Sequence, residues 1–206
     1  MSNNQSHVGC RIPNNEIALK ILNELNFPIA APSANIATKT SITSINDLDT
    51  ALKSIFNIDG GSSVLGLEST VIQTTKVGCK ILRLGSLTIE EIKNKFNDYI
   101  IETTDSKLSP GNQLKHYSPN KAIRINVKNV FDNEALLNFG KNNLKSNIQN
   151  INLSISGNLI EASYNFYNYL NLLDKSQCDR IAVAPIPNHD LGKTINDRLK
   201  RAAHED

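Results

Sequence analysis

The side chains of PSAN (32–35) are of types that could do chemistry. The Ser33 hydroxyl and the Asn35 amide can donate to phosphate or purine atoms, and the small Ala34 between them allows close approach. The same four residues are also typical of an Asx or serine turn that caps a helix. Taken alone, the tetrapeptide favours the turn over a ligand site.

A glycine-rich stretch, DGGSSVLGLEST (59–70), ends in the hydroxyl pair Ser69 and Thr70. Its backbone N–H groups could form a nest for an oxyanion, although a plain loop turn has the same composition. The stretch is neither a Walker motif nor a GxGxxG fingerprint. Arg11 in GCRIP and Arg83 in ILRLG each flank an apolar run. A guanidinium there could bind a carboxylate or phosphate through two hydrogen bonds, whereas a single such arginine is more often a solvated charge.

The stretch LSPGNQLKHYSP (108–119) contains two Ser-Pro pairs, a glycine, His116 and Tyr117. Proline fixes φ and removes a donor, so the stretch predicts an ordered turn or linker. No GxSxG-type pattern gives His116 the partners of a triad. A metal site would require the fold to join His116, His189 and His204, so we predict no metal ligands.

Composition limits the classes of protein to which the chain can belong. Its 206 residues are 39% hydrophobic and 20% charged, which indicates a globular chain of one large domain or two small ones. The net charge of +2 is too small to attract nucleic acid or a membrane surface globally. The three cysteines lack CxxC spacing, which argues against disulfides or zinc and predicts a cytoplasmic protein. No apolar run is long enough to predict a membrane span.

Hydrophobic periodicity predicts an α/β protein, with elements on both sides of the 108–119 stretch. Before it, we expect the following elements: helices over 16–26, 44–56 and 88–96, a short strand within 27–35, and a hairpin from 69–75 and 80–85. After it, we expect strands over 122–127, 152–156 and 181–187, and helices over 133–145, 159–175 and 194–203. This alternation is typical of a mostly parallel sheet covered by helices.

Two further patterns lie in the predicted helices of the second half. Tyr164, Phe166, Tyr167 and Tyr169 recur at helical spacing, which favours core packing over base stacking. The basic cluster DRLKRAA (197–203) predicts the solvated face of a terminal helix, with contact to tRNA as the alternative.

The ordered set of short motifs resembles the threonylcarbamoyl-AMP synthase family, in its Sua5 form with a YrdC-type catalytic domain. The motifs are CRIP, PIAAPSAN, SIT, IDGG, GLESTVI, ILRLG, SPGNQLKHYSP and LGKTINDRLKRAA. The resemblance implies three regions: the C-terminal part of a YrdC-like α/β domain over 1–105, a Pro/Gly linker across the active-site mouth over 106–121, and a small Rossmann-like α/β Sua5-type C-terminal domain over 122–206.

The family makes L-threonylcarbamoyladenylate from L-threonine, bicarbonate and ATP, with Mg²⁺ accompanying the ATP, for later modification of tRNA. The resemblance implies an L-threonine site at Arg11, Ala31 and Ser69. It also implies a nucleotide site formed by seven residues: Ser33, Asn35, Ser41, Thr70, Arg83, His116 and Tyr117. Catalysis of this type depends on positioning and on neutralising phosphate charge, so it needs no nucleophilic triad.

Two early motifs of the family, a Thr-Tyr-Gly-Leu stretch and a basic strand for ATP phosphates and bicarbonate, are absent before CRIP. We therefore expect the chain to be inactive alone and to regain activity when the missing N-terminal half is added, in cis or as a separate polypeptide. Two alternatives stay open: an inactive nucleotide-binding remnant, and an interaction module for tRNA or double-stranded RNA. The near-neutral charge counts against the RNA-binding alternative.

Overall fold

The computed structural model describes residues 8–36, 39–103 and 118–203 of the chain. It contains two separate sheets with helices beside them, so the predicted α/β class is confirmed. One sheet lies before the 108–119 stretch and the other after it. Most of the 106–121 linker, including His116 and Tyr117, lies outside the described residues, as does His204.

The first part of the chain forms a small three-stranded sheet with short helices. Its elements are α1 (Glu16–Asn23), a 3₁₀ turn (Ile45–Asp47), α2 (Thr50–Lys53), β1 (Val71–Thr74), β2 (Gly78–Arg83), α3 (Ile89–Lys95) and β3 (Ile100–Thr103). Strands β1 and β2 pair antiparallel, which confirms the predicted hairpin, and β3 adds to β2 in parallel. A capping box starts α3, because the Thr88 side chain and the Glu91 carboxylate each bond the other's backbone N–H.

The second part is a four-stranded parallel sheet covered by two long helices. Its elements are β4 (Ala122–Arg124), β5 (Glu134–Asn138), β6 (Asn150–Asn152), α4 (Leu159–Asp174), β7 (Arg180–Val183) and α5 (Asp190–Ala202). The strand order is β4-β7-β5-β6. The main hydrophobic core lies here, between the sheet and the two helices, and includes Leu137, Phe166, Tyr167 and Leu170. Core packing of Phe166 and Tyr167 is thereby confirmed, whereas Tyr164 remains 48% exposed.

A partly buried ion pair joins two strands of this second sheet. Arg124 donates from Nε and Nη2 to the two carboxylate oxygens of Glu134, at 2.9 and 2.6 Å. Arg124 also lies over the Phe131 ring, 4.3 Å from its centroid. The hydrogen bonds from Arg124 hold the pKa of Glu134 below its usual value, although burial acts in the opposite direction.

Three secondary-structure predictions are wrong. Residues 134–138 form the buried strand β5 rather than the start of a helix over 133–145. Ala, Leu and Glu favour helices intrinsically, but a central parallel strand buried on both faces selects for apolar side chains, and tertiary burial overrides propensity. The 27–35 stretch forms neither strand nor helix. The helix predicted over 44–56 is interrupted, because Leu48 is extended between the 3₁₀ turn and α2.

Two other boundaries shift by a few residues. Strand β6 ends at Asn152, where the predicted strand begins, and α5 starts at Asp190, four residues before the predicted start. Among the residues described, no helix has the length and the apolar character needed to cross a membrane.

Candidate functional site

Two guanidinium groups converge on Ser69. Arg11 Nη2 donates to the Ser69 hydroxyl at 3.0 Å, and Arg83 Nη2 donates to the Ser69 carbonyl at 2.9 Å. The hairpin explains the second contact: Arg83 ends β2 and pairs in register with Val71, so the residues just before β1 lie beside it. Three residues that the sequence predicts for two different ligands therefore meet at one point.

Thr70, next in the chain, has its hydroxyl engaged by the protein itself. The Thr70 Oγ1 atom donates to the Leu87 carbonyl at 2.5 Å and accepts from the Leu87 N–H at 3.1 Å. This pair of bonds ties the start of β1 to the turn between β2 and α3. In the geometry observed, Thr70 fixes the position of the 68–70 segment, which we name the site segment, rather than pointing its donor at a ligand.

Ser41 contacts the site segment through a carboxylate. Its hydroxyl donates to Glu68 Oε1 at 2.5 Å, and the Tyr167 hydroxyl donates to the same oxygen at 2.7 Å. Arg198 Nε donates to Glu68 Oε2 at 3.1 Å. Burial tends to raise the pKa of Glu68, but Arg198 and the two hydroxyl donors outweigh it, and the pKa lies below its usual value. Glu68 is therefore an ionised, fully engaged carboxylate next to Ser69.

The PSAN tetrapeptide forms a bend that directly precedes no helix in the described residues, so the predicted helix-capping turn is not the one observed. Asn35 donates both hydrogens of its amide nitrogen within the chain, to the Ile36 carbonyl at 3.1 Å and the Lys39 carbonyl at 3.0 Å. Its amide oxygen takes no part in those bonds. Ser33 and Ala31 are both exposed to solvent. Of the predicted nucleotide residues on this loop, Ser33 has the most accessible side chain.

An open cleft of about 210 Å³ lies beside this bend, between the SIT loop and the glycine-rich stretch. Its lining includes Ala34, Thr43, Asp59 and Gly61. The predicted oxyanion nest is partly closed, because the Gly61 N–H donates to the Asp59 carboxylate at 2.9 Å. The cleft is smaller than the roughly 300–1,000 Å³ typical of small-molecule pockets. It could hold only part of a nucleotide.

The residues that sequence reasoning missed come from the second part of the chain. Arg198 is fully buried, so the prediction of a solvated basic face over 197–203 is wrong for this residue. It donates to Glu68, to the Leu84 carbonyl at 2.6 Å and to Asp197. Tyr167 was expected only as a core residue. A local signal was present, because an arginine among apolar residues with helical spacing indicates a buried cation, but its partner could not be found from spacing.

Close backbone packing at two glycines surrounds the site segment: Gly66 lies against α4, and Gly85 lies against the site segment itself. Gly66 has φ +64°, and a Cβ there would lie 2.1 Å from the Ser163 carbonyl oxygen of α4. A Cβ at Gly85 would lie 2.3 Å from the Thr70 nitrogen. Glycine is required at both positions, because backbone atoms occupy the space that any side chain would need.

The donor groups of the described residues do not form a metal site. The part of the chain that the structure describes contains no group of three or more His, Cys, Asp or Glu side chains that could hold an ion. Glu68, the carboxylate nearest to Ser69, already accepts from Ser41, Tyr167 and Arg198. These residues do not fit a protein-held Mg²⁺.

Comparison with protein families accounts for both parts of the chain. Residues 87–204 match the family model described as "Threonylcarbamoyl-AMP synthase, C-terminal domain". Residues 1–85 match the Sua5/YciO/YrdC model, whose description is "Telomere recombination". The chain therefore belongs to the threonylcarbamoyl-AMP synthase family.

Individual relatives agree with this assignment. The Threonylcarbamoyl-AMP synthase of Pyrococcus abyssi is 30% identical over 217 residues, which cover 95% of this chain and 64% of the relative. The one from Bacillus subtilis is 33% identical over 127 residues, 57% of this chain and 36% of the relative. The crystal structure of P. abyssi Sua5 complexed with L-threonine superposes with a TM-score of 0.75 at 27% identity. That match covers 94% of this chain and 63% of the archaeal chain, so this chain spans slightly less than two thirds of it.

Proposed function

We propose that this chain takes part in making L-threonylcarbamoyladenylate from L-threonine, bicarbonate and ATP, with release of pyrophosphate, for tRNA modification in the cytoplasm. The observation that carries the proposal is the convergence of Arg11 and Arg83 on Ser69. Relatives named Threonylcarbamoyl-AMP synthase and a matching structure that contains L-threonine support it.

Arg11 and Ser69 have the chemistry that an amino-acid substrate requires. The exposed Arg11 guanidinium donates one N–H to the Ser69 hydroxyl, and its other N–H groups can donate to a carboxylate. Charge-assisted bonds of this kind are about twice as strong as neutral ones. We assign the threonine carboxylate to Arg11 and the polar part of the substrate to the Ser69 hydroxyl, with Ala31 lining the same site.

The nucleotide would lie on the Arg83 and PSAN side of Ser69. We assign the adenylate phosphate to Arg83, and the remaining nucleotide contacts to Ser33 and to the Asn35 amide oxygen. We assign Ser41 and Thr70 the role of holding the backbone of this site in place, because their hydroxyls already donate to groups within the protein. His116 and Tyr117 remain part of the proposal as nucleotide contacts, although they lie outside the described residues. Mg²⁺ would enter bound to the ATP phosphates, as part of the substrate.

The triphosphate and bicarbonate need more positive charge than Arg11 and Arg83 supply. We propose that a polypeptide equivalent to the unmatched third of the relatives, in cis or as a separate chain, provides it. The first part of the chain exposes large apolar side chains that such a polypeptide would cover, including Ile12, Phe56 and Val64, which are 90, 89 and 82% exposed. Where such side chains form one contiguous patch, the surface is typical of a protein–protein interface.

Ligand binding tests the substrate assignment directly. Calorimetry should detect L-threonine binding to the folded chain, and Arg11→Met should weaken it about 10- to 100-fold, since hydrogen bonds to charged groups contribute roughly 1.5–3 kcal/mol. Lys53→Met is the matched control: it removes a cation of α2 whose described contact is a 3.5 Å bond to the Asn46 carbonyl. Equal affinity in Arg11→Met and the unaltered chain would remove threonine from this site.

An activity assay tests the complete reaction. Mass spectrometry should detect threonylcarbamoyl-AMP when the chain is mixed with the complementary polypeptide, threonine, bicarbonate, ATP and Mg²⁺, and none when any substrate is omitted. The chain alone should give no product, because losing one preorganised charged donor already costs about 10²- to 10³-fold in rate. If the mixture stays inactive while a full-length relative turns over in parallel, the chain is an inactive remnant. Threonine-dependent product from the chain alone would show that its own residues suffice.

A further inference from the structure

Glu68 collects hydrogen bonds from three distant regions of the chain. Its donors are Ser41 on the SIT loop, Tyr167 on α4 and Arg198 on α5, which lie 27, 99 and 130 residues away in sequence. The Glu68 side chain is 16% exposed and Arg198 is fully buried. A buried carboxylate with three donors holds its backbone in one place, because moving it would leave charged groups without partners.

Helix α5 also binds the two residues that follow β2, which lie beside the site segment. Arg198 also donates to the Leu84 carbonyl, and the buried Thr194 hydroxyl donates to the Gly85 carbonyl at 3.0 Å. These two carbonyls immediately follow Arg83. The Ser86 N–H then donates to the Glu68 carbonyl at 2.8 Å, which closes a ring of contacts. One helix therefore fixes both chain segments that bring Arg83 and Ser69 together.

We propose that Tyr167 and Arg198 are positioning residues for the candidate site, and that they act by clamping Glu68 so that the site segment keeps Ser69 in register with Arg11 and Arg83. The Sua5-type C-terminal domain thus supports, from behind, the Arg11, Ser69 and Arg83 contacts, which come from the first part of the chain. The ligand consequences of this inference rest on the function proposed above, whereas the clamp itself does not.

The covalent chain transmits the clamp to the ligand contacts. Ser69 is bonded to Glu68 through a rigid peptide plane, so a shift of the Glu68 backbone moves the Ser69 nitrogen and hydroxyl with it. A displacement of about 1 Å at a positioning group can cost about 100-fold in rate. Neither Tyr167 nor Arg198 needs to touch a substrate to have this effect.

Amide hydrogen exchange on the 206-residue chain tests the clamp without any ligand. The reporters are the N–H groups of Ser86 and Leu87, which donate to the Glu68 carbonyl and to Thr70 Oγ1. Tyr167→Phe removes one hydroxyl and keeps the ring, and should speed exchange at both reporters about tenfold, given the strength of a bond to a carboxylate. The amide of Ala184, which donates to the Leu137 carbonyl in the core, should keep its rate.

Two further variants make the test specific. Tyr164→Phe removes the same hydroxyl from a half-exposed position of the same helix and should leave the reporters unchanged. Arg198→Lys keeps the cation but replaces the separate Nε and Nη2 atoms, which reach Glu68 and Leu84, with a single nitrogen. It should therefore speed exchange at the reporters while Ala184 stays protected. Unchanged reporter rates in both Tyr167→Phe and Arg198→Lys overturn the clamp, as does an equal increase at Ala184, which would indicate general destabilisation.

Threonine affinity, measured on the same samples, separates this inference from the proposed function. If the clamp positions Ser69, Tyr167→Phe should weaken threonine binding several-fold and Tyr164→Phe should not. Faster reporter exchange with unaltered threonine affinity would overturn the positioning role. If the unaltered chain binds no threonine, the proposed function fails at that point, and the exchange rates still decide whether the clamp exists.

Discussion

Gly66→Ala should separate the site segment from helix α4, and its cost can be divided into two parts. The first part is conformational: Gly66 has φ +64°, and a left-handed backbone costs an L-residue about 1–2 kcal/mol. The second part is steric, because the new Cβ would lie 2.1 Å from the Ser163 carbonyl oxygen and 2.7 Å from the Tyr164 Cα. These are backbone atoms of a helix, which cannot rotate away as a side-chain end could.

Gly140 supplies a control with almost the same backbone conformation. Its φ is +66°, and a Cβ there would meet nothing within 4 Å. Gly140→Ala should therefore show the conformational cost alone, about 1 kcal/mol. Overpacking a well-packed contact adds about 1–3 kcal/mol, so Gly66→Ala should lose about 3 kcal/mol. The difference of about 2 kcal/mol between the two variants measures the close contact of Gly66 with α4.

Urea unfolding gives the free energy of unfolding of both variants. Far-ultraviolet circular dichroism is the probe, because the chain has no tryptophan to report by fluorescence. The midpoint for Gly66→Ala should fall clearly below that for Gly140→Ala, and the Ser86 and Leu87 amides should exchange faster in the first variant only. Equal midpoints for the two variants would refute the reasoning, since they would show that α4 does not press on this loop.

Two predictions concern the buried carboxylates. Glu134→Gln should lower the free energy of unfolding by about 1–3 kcal/mol, less than for a fully buried pair because Arg124 is 30% exposed. Glu102→Gln, in the exposed pair with Lys80, should change the free energy of unfolding by less than about 0.5 kcal/mol. Similar urea midpoints for the two variants would contradict this prediction. Because the folded-state pKa values of Glu68 and Glu134 are both lowered, their stabilisation is complete above the unfolded-state pKa of about 4.3 and is lost as the pH falls through the folded-state values. The urea midpoint should thus be constant above about pH 5.5 and fall below about pH 4.5. The fall should be shallower in Glu134→Gln. An equally steep fall in that variant would show that ionisation of Glu134 does not stabilise the folded state.

Helix and hairpin positions were largely predictable from local sequence. The 159–175 pattern repeats apolar residues at helical spacing over four turns, and α4 covers Leu159–Asp174. The β1–β2 hairpin follows from two β-rich runs separated by a short turn with a glycine. In both cases the signal is a period or a turn residue within a few positions, so no distant contact is needed to find it.

Strand β5 shows where local patterns fail. Glu134, Ala135 and Leu136 are individually good helix formers, yet they form a strand whose residues are almost all fully buried. The outcome depends on β7 and β6, which flank β5 on either side and pair with it in register. Because those strands lie more than ten residues away, propensity within the segment could not predict the result.

For the candidate site, the sequence by itself determined which chemistry is present: hydroxyls at Ser33, Ser41 and Ser69, and guanidinium groups at Arg11 and Arg83, ordered as in one enzyme family. Only the tertiary structure decided how they are used. It showed that Ser41 and Thr70 bond within the protein and that Arg198, in a cluster expected to face solvent, is buried against Glu68. The physical reason is that a side chain's composition sets which bonds it can make, whereas burial and the arrival of a partner 130 residues away set which bond it does make.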